Sequence, residues 1–219
     1  KVYRAPKNDG SGNIRRNLRT AIRLLKQAGW IFKDRKLINA KTGKPFQFKI
    51  LLAQPTWERI VLPFIRNLKR MGITATVRTV DTAQYQKRME TFDYDMIVGV
   101  WGQSLSPGNE QRNYWGTASA KREGSRNFVG IQNPVLDELI KLVIAAPDRK
   151  SLIMRTRALD RVLLWNYYVV PHWHIQSFRV AYWDKFSRPK IAPKYALGFD
   201  YWWIDATKAS AVNARQTKK

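Results

Sequence analysis

Helical and strand-like patterns alternate through the first hundred residues, and this alternation constrains the fold more than any other feature. Apolar residues recur at helical spacing from Arg16 to Ala28, and strand-like runs cover 46–53, 73–80 and 95–100. A helical pattern separates each strand from the next. Strand–helix–strand units of this length favour an α/β fold, in which helices flank a mixed or parallel sheet.

Turn and capping residues set the expected ends of several elements. Gly72 is expected to end the second helix, because glycine readily adopts the left-handed conformation found just after a helix. Thr56 is expected to cap the start of that helix, and Asp81 or Thr82 the start of the third. Residues 41–45 predict a hairpin connection between two short strands.

The second half of the chain predicts two further helices, one strand and a polar tail. Apolar residues at helical spacing from Val135 to Ile144 come after a proline, and a second helix extends roughly from Arg149 to Trp165. The stretch from Tyr168 to Tyr182 is typical of a strand. The polar residues from Lys208 onward predict a frayed end.

The charge of the chain raises nucleic acid as a partner. Lys and Arg number 40 against 16 Asp and Glu, a formal net charge of +24, and about half of the excess lies before residue 51. This balance suits nucleic-acid or anionic-surface binding, and equally a basic secreted protein with a solvated cationic face. No nucleic-acid-binding motif accompanies the charge, so nucleic-acid binding stays as the alternative function.

Catalytic motifs are missing from the sequence. It contains no phosphate-binding glycine loop and no nucleophile elbow, and the lack of cysteine excludes thiol chemistry and cysteine-based zinc sites. His172 and His174 fall on one face of a predicted strand, which suits either a metal ligand pair or two packed histidines. Asp93 and Asp95 are interpreted as capping or solvent-facing residues. We therefore expect no enzyme activity, no catalytic residue, no metal and no cofactor.

The segment from Val100 to Arg112 is the expected binding region. It comes after the third strand and is long, polar and rich in glycine and proline. Binding sites of α/β sheets gather just beyond the carboxyl ends of the strands. A ligand is therefore expected to contact this loop, which carries a large aromatic residue at its start.

Several segments, taken in order, resemble bacterial extracellular solute-binding protein family 5, the oligopeptide- and dipeptide-binding proteins of ABC importers. The loop 103–111 is similar to that of the Yej-type branch of these receptors. The segments that carry the resemblance are Ala21–Trp30, Leu68–Ile73, Val80–Tyr85, Phe92–Pro107, Asn127–Ile140 and Val170–Pro171.

The resemblance implies the C-terminal portion of such a receptor. Residues 1–178 would form part of the C-terminal α/β lobe of a type II periplasmic binding protein. Residues 179–219 would return to pack on the N-terminal lobe and end in the frayed tail. The implied protein is periplasmic and hands oligopeptides to a membrane ABC permease. Its N-terminal remainder would be missing or on another chain, and no nucleic acid is expected as a partner.

The resemblance also directs attention to particular side chains. In dipeptide and oligopeptide receptors an Asp soon after the loop tryptophan binds the α-ammonium of the peptide, whereas Gln103 and Ser104 stand there in this chain and the nearest acid is Glu110. Tryptophans are expected to form apolar walls, amides and a hydroxyl to pair with peptide amides, and an arginine to hold a carboxylate. The alternatives are a tryptophan in the core and solvated arginines. The expected ligand-binding residues are Trp101, Gln103, Ser104, Asn109, Arg112, Asn113, Trp115, Arg126 and Asn127.

Overall fold

A computed structural model describes residues 3–7, 9–171, 177–193 and 195–216. The chain forms two compact units, Lys1–Val169 and Val170–Lys219, while the predicted division at residue 178 stays a prediction. The helices are α1 Arg15–Gln27, α2 Glu58–Lys69, α3 Thr82–Glu90, α4 Glu110–Trp115, α5 Pro134–Ile144, α6 Arg149–Trp165 and α7 Ala206–Gln216. The strands are β1 Trp30–Lys33, β2 Lys36–Asn39, β3 Gln47–Leu52, β4 Thr74–Thr79, β5 Met96–Ile97, β6 Phe186–Ser187 and β7 Trp203–Ile204.

The main sheet of the first unit has three parallel strands in the order β4–β3–β5. Ile50 at its centre lies opposite Val77 of β4 and Met96 of β5. Ile50 and Leu51, whose side chains point to opposite faces of the sheet, are both almost fully buried, as expected for a strand covered on both faces. The predicted α/β fold with flanking helices is confirmed. The third strand is shorter than predicted, because only two residues of the expected 95–100 stretch are paired.

A hairpin that the sequence analysis did not predict joins β1 to β2. Its turn residues Asp34 and Arg35 have φ angles of 48° and 62°, the left-handed pair of a type I′ turn. The expected connection at 41–45 is also a turn, but the chain after it pairs with β2 only through a single bridge between Ile38 and Pro45, just before β3 begins. The first turn was missed because Asp-Arg lacks the glycine that usually marks this geometry.

The ends of α2 and α3 confirm two capping predictions and correct one. Gly72 lies just beyond α2 with a φ of 75°, and a Cβ there would lie 2.7 Å from the backbone nitrogen of Leu37. Asp81 caps α3 by accepting a hydrogen bond from the Gln84 backbone N–H at 2.9 Å. Thr56 does not cap α2. It lies inside a 3-10 turn, and α2 begins after that turn without a side-chain cap.

The helices of the second half form a separate core beside the binding loop. The two predicted helices are present as α5 and α6, which pack together, and each begins at a side-chain cap, Asn133 and Asp148 respectively. Their buried residues meet the aromatic rings of α4. The buried cluster comprises Tyr114, Trp115, Ile131, Leu136, Ile140, Val143 and Leu159. This core therefore supports the segment that leaves β5.

The second unit is built on a short antiparallel ribbon and an aromatic cluster. β6 pairs with β7, and the rings of Tyr182, Phe186, Phe199 and Trp202 lie within 6.4 Å of one another along successive contacts.

Two predictions for the last fifty residues or so are corrected by the structure. Residues 168–171 and 177–182 do not form a strand, and the polar tail is helical up to Gln216 as α7. His172 and His174 lie outside the described residues.

None of the helices in the described residues has the length and apolar character that crossing a membrane requires.

Candidate ligand-binding site

The segment that leaves β5 has one side engaged by its own chain. The carbonyls of alternate residues accept side-chain hydrogen bonds: Val98 from the Tyr85 hydroxyl at 3.2 Å, Val100 from the Arg126 guanidinium, and Gly102 from the Tyr114 hydroxyl at 3.1 Å. Successive residues of an extended chain face opposite directions. The backbone groups of Gly99 and Trp101 therefore face away from these donors, and they have no partner among the described residues. This side resembles an unpaired strand edge.

Two partly buried tyrosines hold the start of this segment as neutral donors. Burial raises the pKa of Tyr85, and burial together with the neighbouring Tyr85 raises the pKa of Tyr94 to about 12. The Tyr94 hydroxyl donates to the Phe128 carbonyl at 2.8 Å. Both hydroxyls stay protonated at neutral pH, so β5 and the 124–128 loop keep the same hydrogen bonds across the physiological range.

Trp101 is fixed to the second core and half-buried. Its ring centroid lies 4.9 Å from that of Trp115 and 5.5 Å from that of Phe128. Its indole nitrogen donates to the Arg126 carbonyl at 2.9 Å. Both interpretations of Trp101 thus retain support, because the residue packs on the core while part of it stays accessible at the start of the loop.

A pair of amides anchors the binding loop to α4. The side chains of Gln103 and Gln111 exchange hydrogen bonds, and the Trp115 indole nitrogen donates to Gln111 Oε1 at 2.9 Å. Gln111 is 3 % exposed, and sequence reasoning did not single it out. The available signal was its spacing, since Gln111 and Trp115 are four residues apart on one helix and therefore share a face.

Glu110 is the acid of this loop. Burial raises its pKa, but hydrogen bonds from the backbone N–H of Gly108, from its own backbone and from the Gln111 amide outweigh that effect and leave the pKa below its usual value. Oε1 accepts both from Gly108 at 2.8 Å and from Gln111 at 3.1 Å. Neither of these two hydrogen bonds involves Oε2. An ionised oxygen is thus available to a cation beside the loop.

Two hollows open beside the segment. One, of about 450 Å³, lies between the loop, α4 and α6, and its walls are both apolar and charged. Gln103, Ser104 and the accessible edge of Trp115 line it, together with Arg149, Thr156 and Asp160. The Thr156 hydroxyl is buried without a hydrogen-bond partner among the described residues. The other hollow, of about 470 Å³, is lined by Tyr85, Met89, Gly99, Val100, Arg126 and Phe128.

Several predicted residues lie at the surface of the loop and α4. Asn109 and Arg112 are exposed, and no hydrogen bond of either side chain occurs within the described part of the chain. Asn113 Oδ1 accepts from Arg122 at 2.7 Å, and Ser104 Oγ accepts from the Ser106 backbone at 3.1 Å. Ligand contact by these residues stays a prediction.

Arg126 and Asn127 are engaged by the chain itself. The Arg126 guanidinium lies 5.0 Å from the Tyr114 ring and donates to the Val100 carbonyl. Asn127 is fully buried, and its amide bonds the Gly116 carbonyl and both backbone groups of Ile131. The ligand contact expected of Asn127 is therefore not available in this structure. Its amide instead ties the 127–131 loop to the end of α4.

Comparison with known proteins assigns the chain to a family. Residues 2–123 match the description "Bacterial extracellular solute-binding proteins, family 5 Middle". The chain belongs to this family. Among its relatives, the uncharacterized protein y4wM of Sinorhizobium fredii is 52% identical over 92% of this chain. The probable peptide-binding protein YejA of Agrobacterium fabrum is 44% identical over 92% of it. The resemblance to the Yej-type branch is thus confirmed.

Solved structures show that this chain has the fold of the peptide-binding type II periplasmic proteins. The oligopeptide-binding protein AppA of Bacillus subtilis, in complex with a nonapeptide, matches 93% of this chain with a TM-score of 0.67 and 22% identity. The chain spans 30% and 33% of the length of the two relatives and 40% of the AppA chain. It therefore corresponds to a part of the longer proteins it resembles.

Proposed function

We propose that the chain forms part of a periplasmic receptor that binds oligopeptides and delivers them, chemically unchanged, to a membrane ABC permease. Membership of an extracellular solute-binding family supports a solute-binding role outside the cytoplasm. A relative named as a probable peptide-binding protein and the fold of AppA support a peptide as the solute.

The observation that carries this proposal is the unpaired backbone edge at Gly99 and Trp101. An extended peptide adds to such an edge by main-chain hydrogen bonds, which do not depend on the side chains of the ligand. Such bonds suit a receptor that accepts varied sequences. The absent side chain of Gly99 leaves room for the rings of Trp101 and Phe128, because a Cβ there would lie 3.3 Å and 3.5 Å from them.

The surrounding groups suit the rest of a peptide. The 450 Å³ hollow accommodates a side chain between the apolar wall of α6 and the polar Gln103 and Ser104. The Oε2 of Glu110 suits an ammonium group, and the exposed guanidinium of Arg112 suits a carboxylate. In this assignment Glu110 takes the role of the Asp that binds the α-ammonium group of the peptide in dipeptide and oligopeptide receptors.

The exposed apolar surface of the second unit supports contact with another part of the same receptor. It exposes many large apolar side chains, a density typical of a surface that another body covers. We propose that the N-terminal part of the receptor, which the longer relatives contain, packs on this surface. The exposed residues include Phe178, Trp183, Ile191, Tyr195, Phe199, Tyr201, Trp203 and Ile204.

Calorimetry on the full-length protein tests the function. Titration with pooled peptides of different lengths should show saturable binding, and mass spectrometry should recover the bound peptides intact. Oligosaccharides serve as the control, because they cannot complete a strand edge. Binding of sugars without any peptide, or cleavage of bound peptide that survives repurification, would refute the proposal. Tight, steeply salt-dependent binding of nucleic acid alone would favour the alternative function.

A further inference from the structure

Five basic side chains lie along one side of α1. At 100° per residue, Arg15, Arg16, Arg19, Arg23 and Lys26 fall within an arc of about 100° and extend over roughly 17 Å of the helix. The helix contains no acidic residue. We call these five residues the basic stripe of α1.

The core holds α1 so that the stripe points outward. Leu18, Ala21 and Leu25 on the opposite side pack against the buried cluster around Leu37 and Ile73. All five stripe residues are exposed. Ile22, which was predicted to share the core face, is 44 % exposed and flanks the stripe. The helix therefore presents a fixed row of cations with an apolar margin.

The charges of the stripe are not neutralised within the described part of the chain. The ion pairs found there involve Arg88, Lys141 and Lys208, which lie on other elements. The nearest acid in sequence, Asp9, accepts hydrogen bonds from the backbone and hydroxyl of Ser11. The β1–β2 hairpin, which contacts α1, adds further exposed cations at Lys33, Arg35 and Lys36.

We propose that the basic stripe docks the protein on an anionic lipid bilayer. Guanidinium groups bind phosphate through two parallel hydrogen bonds, and a row of them matches a plane of phosphate headgroups better than it matches a single small anion. Leu18, Ala21 and Leu25 of α1 already pack against the core. The contact is therefore peripheral and electrostatic, unlike that of a helix that inserts its apolar face.

Family membership favours a membrane over nucleic acid as the anionic partner. The family is described as extracellular solute-binding, and nucleic acid is not the usual polyanion of that compartment. Lipid docking would confine the protein to a layer beside the bilayer. The inference does not depend on which solute the protein binds, because α1 takes no part in the hollows beside the loop.

Vesicle co-sedimentation with the full-length protein tests the inference. Vesicles of phosphatidylcholine containing about one-third phosphatidylglycerol should bind the protein at low salt and release it at about 0.5 M salt, where screening is nearly complete. Replacing Arg16, Arg19 and Arg23 together by Gln should weaken binding on the order of a hundredfold. Melting curves of the variant should match the wild type, because the three side chains are exposed.

A charge-matched variant provides the control. Lys121→Gln, Lys150→Gln and Arg161→Gln remove the same charge from exposed positions outside α1, and this variant should lose less than about fivefold in affinity. Equal losses of affinity in both variants would show that only net charge matters, and would overturn the proposed role of the basic stripe. Absence of vesicle binding at low salt, with or without binding of duplex DNA, would overturn the proposal that an anionic bilayer is the partner.

Discussion

The side-chain amides of Gln103 and Gln111 hold each other by two hydrogen bonds, of 2.7 and 3.4 Å, across the start of α4. Gln103 lies in the loop after β5, whereas Gln111 lies on the helix that packs on the second core. The pair thus connects the loop beside the proposed peptide edge to the buried second core.

Replacing Gln111 by Leu should loosen this connection. The indole nitrogen of Trp115 and the amide of Gln103 would lose their partners, and a buried donor without a partner costs about 1–3 kcal/mol. Chemical denaturation should show that loss, and peptide affinity should fall because the loop is less ordered. Gln132→Leu is the matched control, since Gln132 is exposed and is not among the expected ligand-binding residues. An unchanged peptide affinity in Gln111→Leu would mean that the loop does not need this anchor.

Replacing Gly99 by Pro should weaken peptide binding by removing one backbone N–H from the proposed edge. Loss of one such hydrogen bond costs about 1 kcal/mol, which is roughly fivefold in affinity. Gly99→Ala is the matched control, because it adds a Cβ, 3.3 Å from the Trp101 ring, without removing the N–H. If both variants bind peptide equally well, or equally poorly, the N–H of Gly99 has no part in binding.

Replacing Trp101 by Ala separates its two interpretations. The change removes ring contacts with Trp115 and Phe128, so the melting temperature should fall. If Trp101 also forms a ligand wall, peptide affinity should fall well below that of wild type under conditions where both proteins are fully folded. Trp101→Phe keeps much of the packing and serves as the control. A lower melting temperature with unchanged affinity would identify a core residue alone.

Replacing Glu110 by Gln should weaken binding of peptides that have a free amino terminus and spare those with an acetylated one. The sign of the pH dependence is set by the lowered pKa. The carboxylate stays ionised down through its usual value of 4.5, so its contribution persists at neutral pH and is lost only as the pH falls below that value. Calorimetry at several pH values measures both effects. Glu123→Gln, at an exposed position, is the control. Identical affinities for free and acetylated peptides in the wild type would contradict this role.

Replacing Thr156 by Val should stabilise the protein slightly. Its hydroxyl is buried without a partner in the described structure, and an isosteric methyl group removes the desolvation penalty of about 1 kcal/mol. Chemical denaturation without peptide measures this gain. Thr117→Val, at an exposed position, should change stability by less. A loss of stability would show that the hydroxyl has a partner, such as a bound water.

The alternation of helical and strand patterns was sufficient to predict the α/β fold, because hydrophobic periodicity reports directly which face of an element is buried. Gly72 and Asp81 marked helix ends correctly, since each acts through local backbone chemistry. Local chemistry also led to one wrong prediction of a helix cap. Thr56 was expected to cap α2, but the proline before it starts a 3-10 turn instead.

Features that depend on contacts distant in sequence were decided by the tertiary structure alone. Asn127 was among the residues expected to contact the ligand, yet it is buried because the end of α4 and the 127–131 loop close around its amide. The choice of Gly99 and Trp101 as the free edge depends on three donors from α3, α4 and the 124–128 loop. Periodicity reports burial within one element, whereas a binding edge is defined by the backbone groups that the other elements leave unpaired.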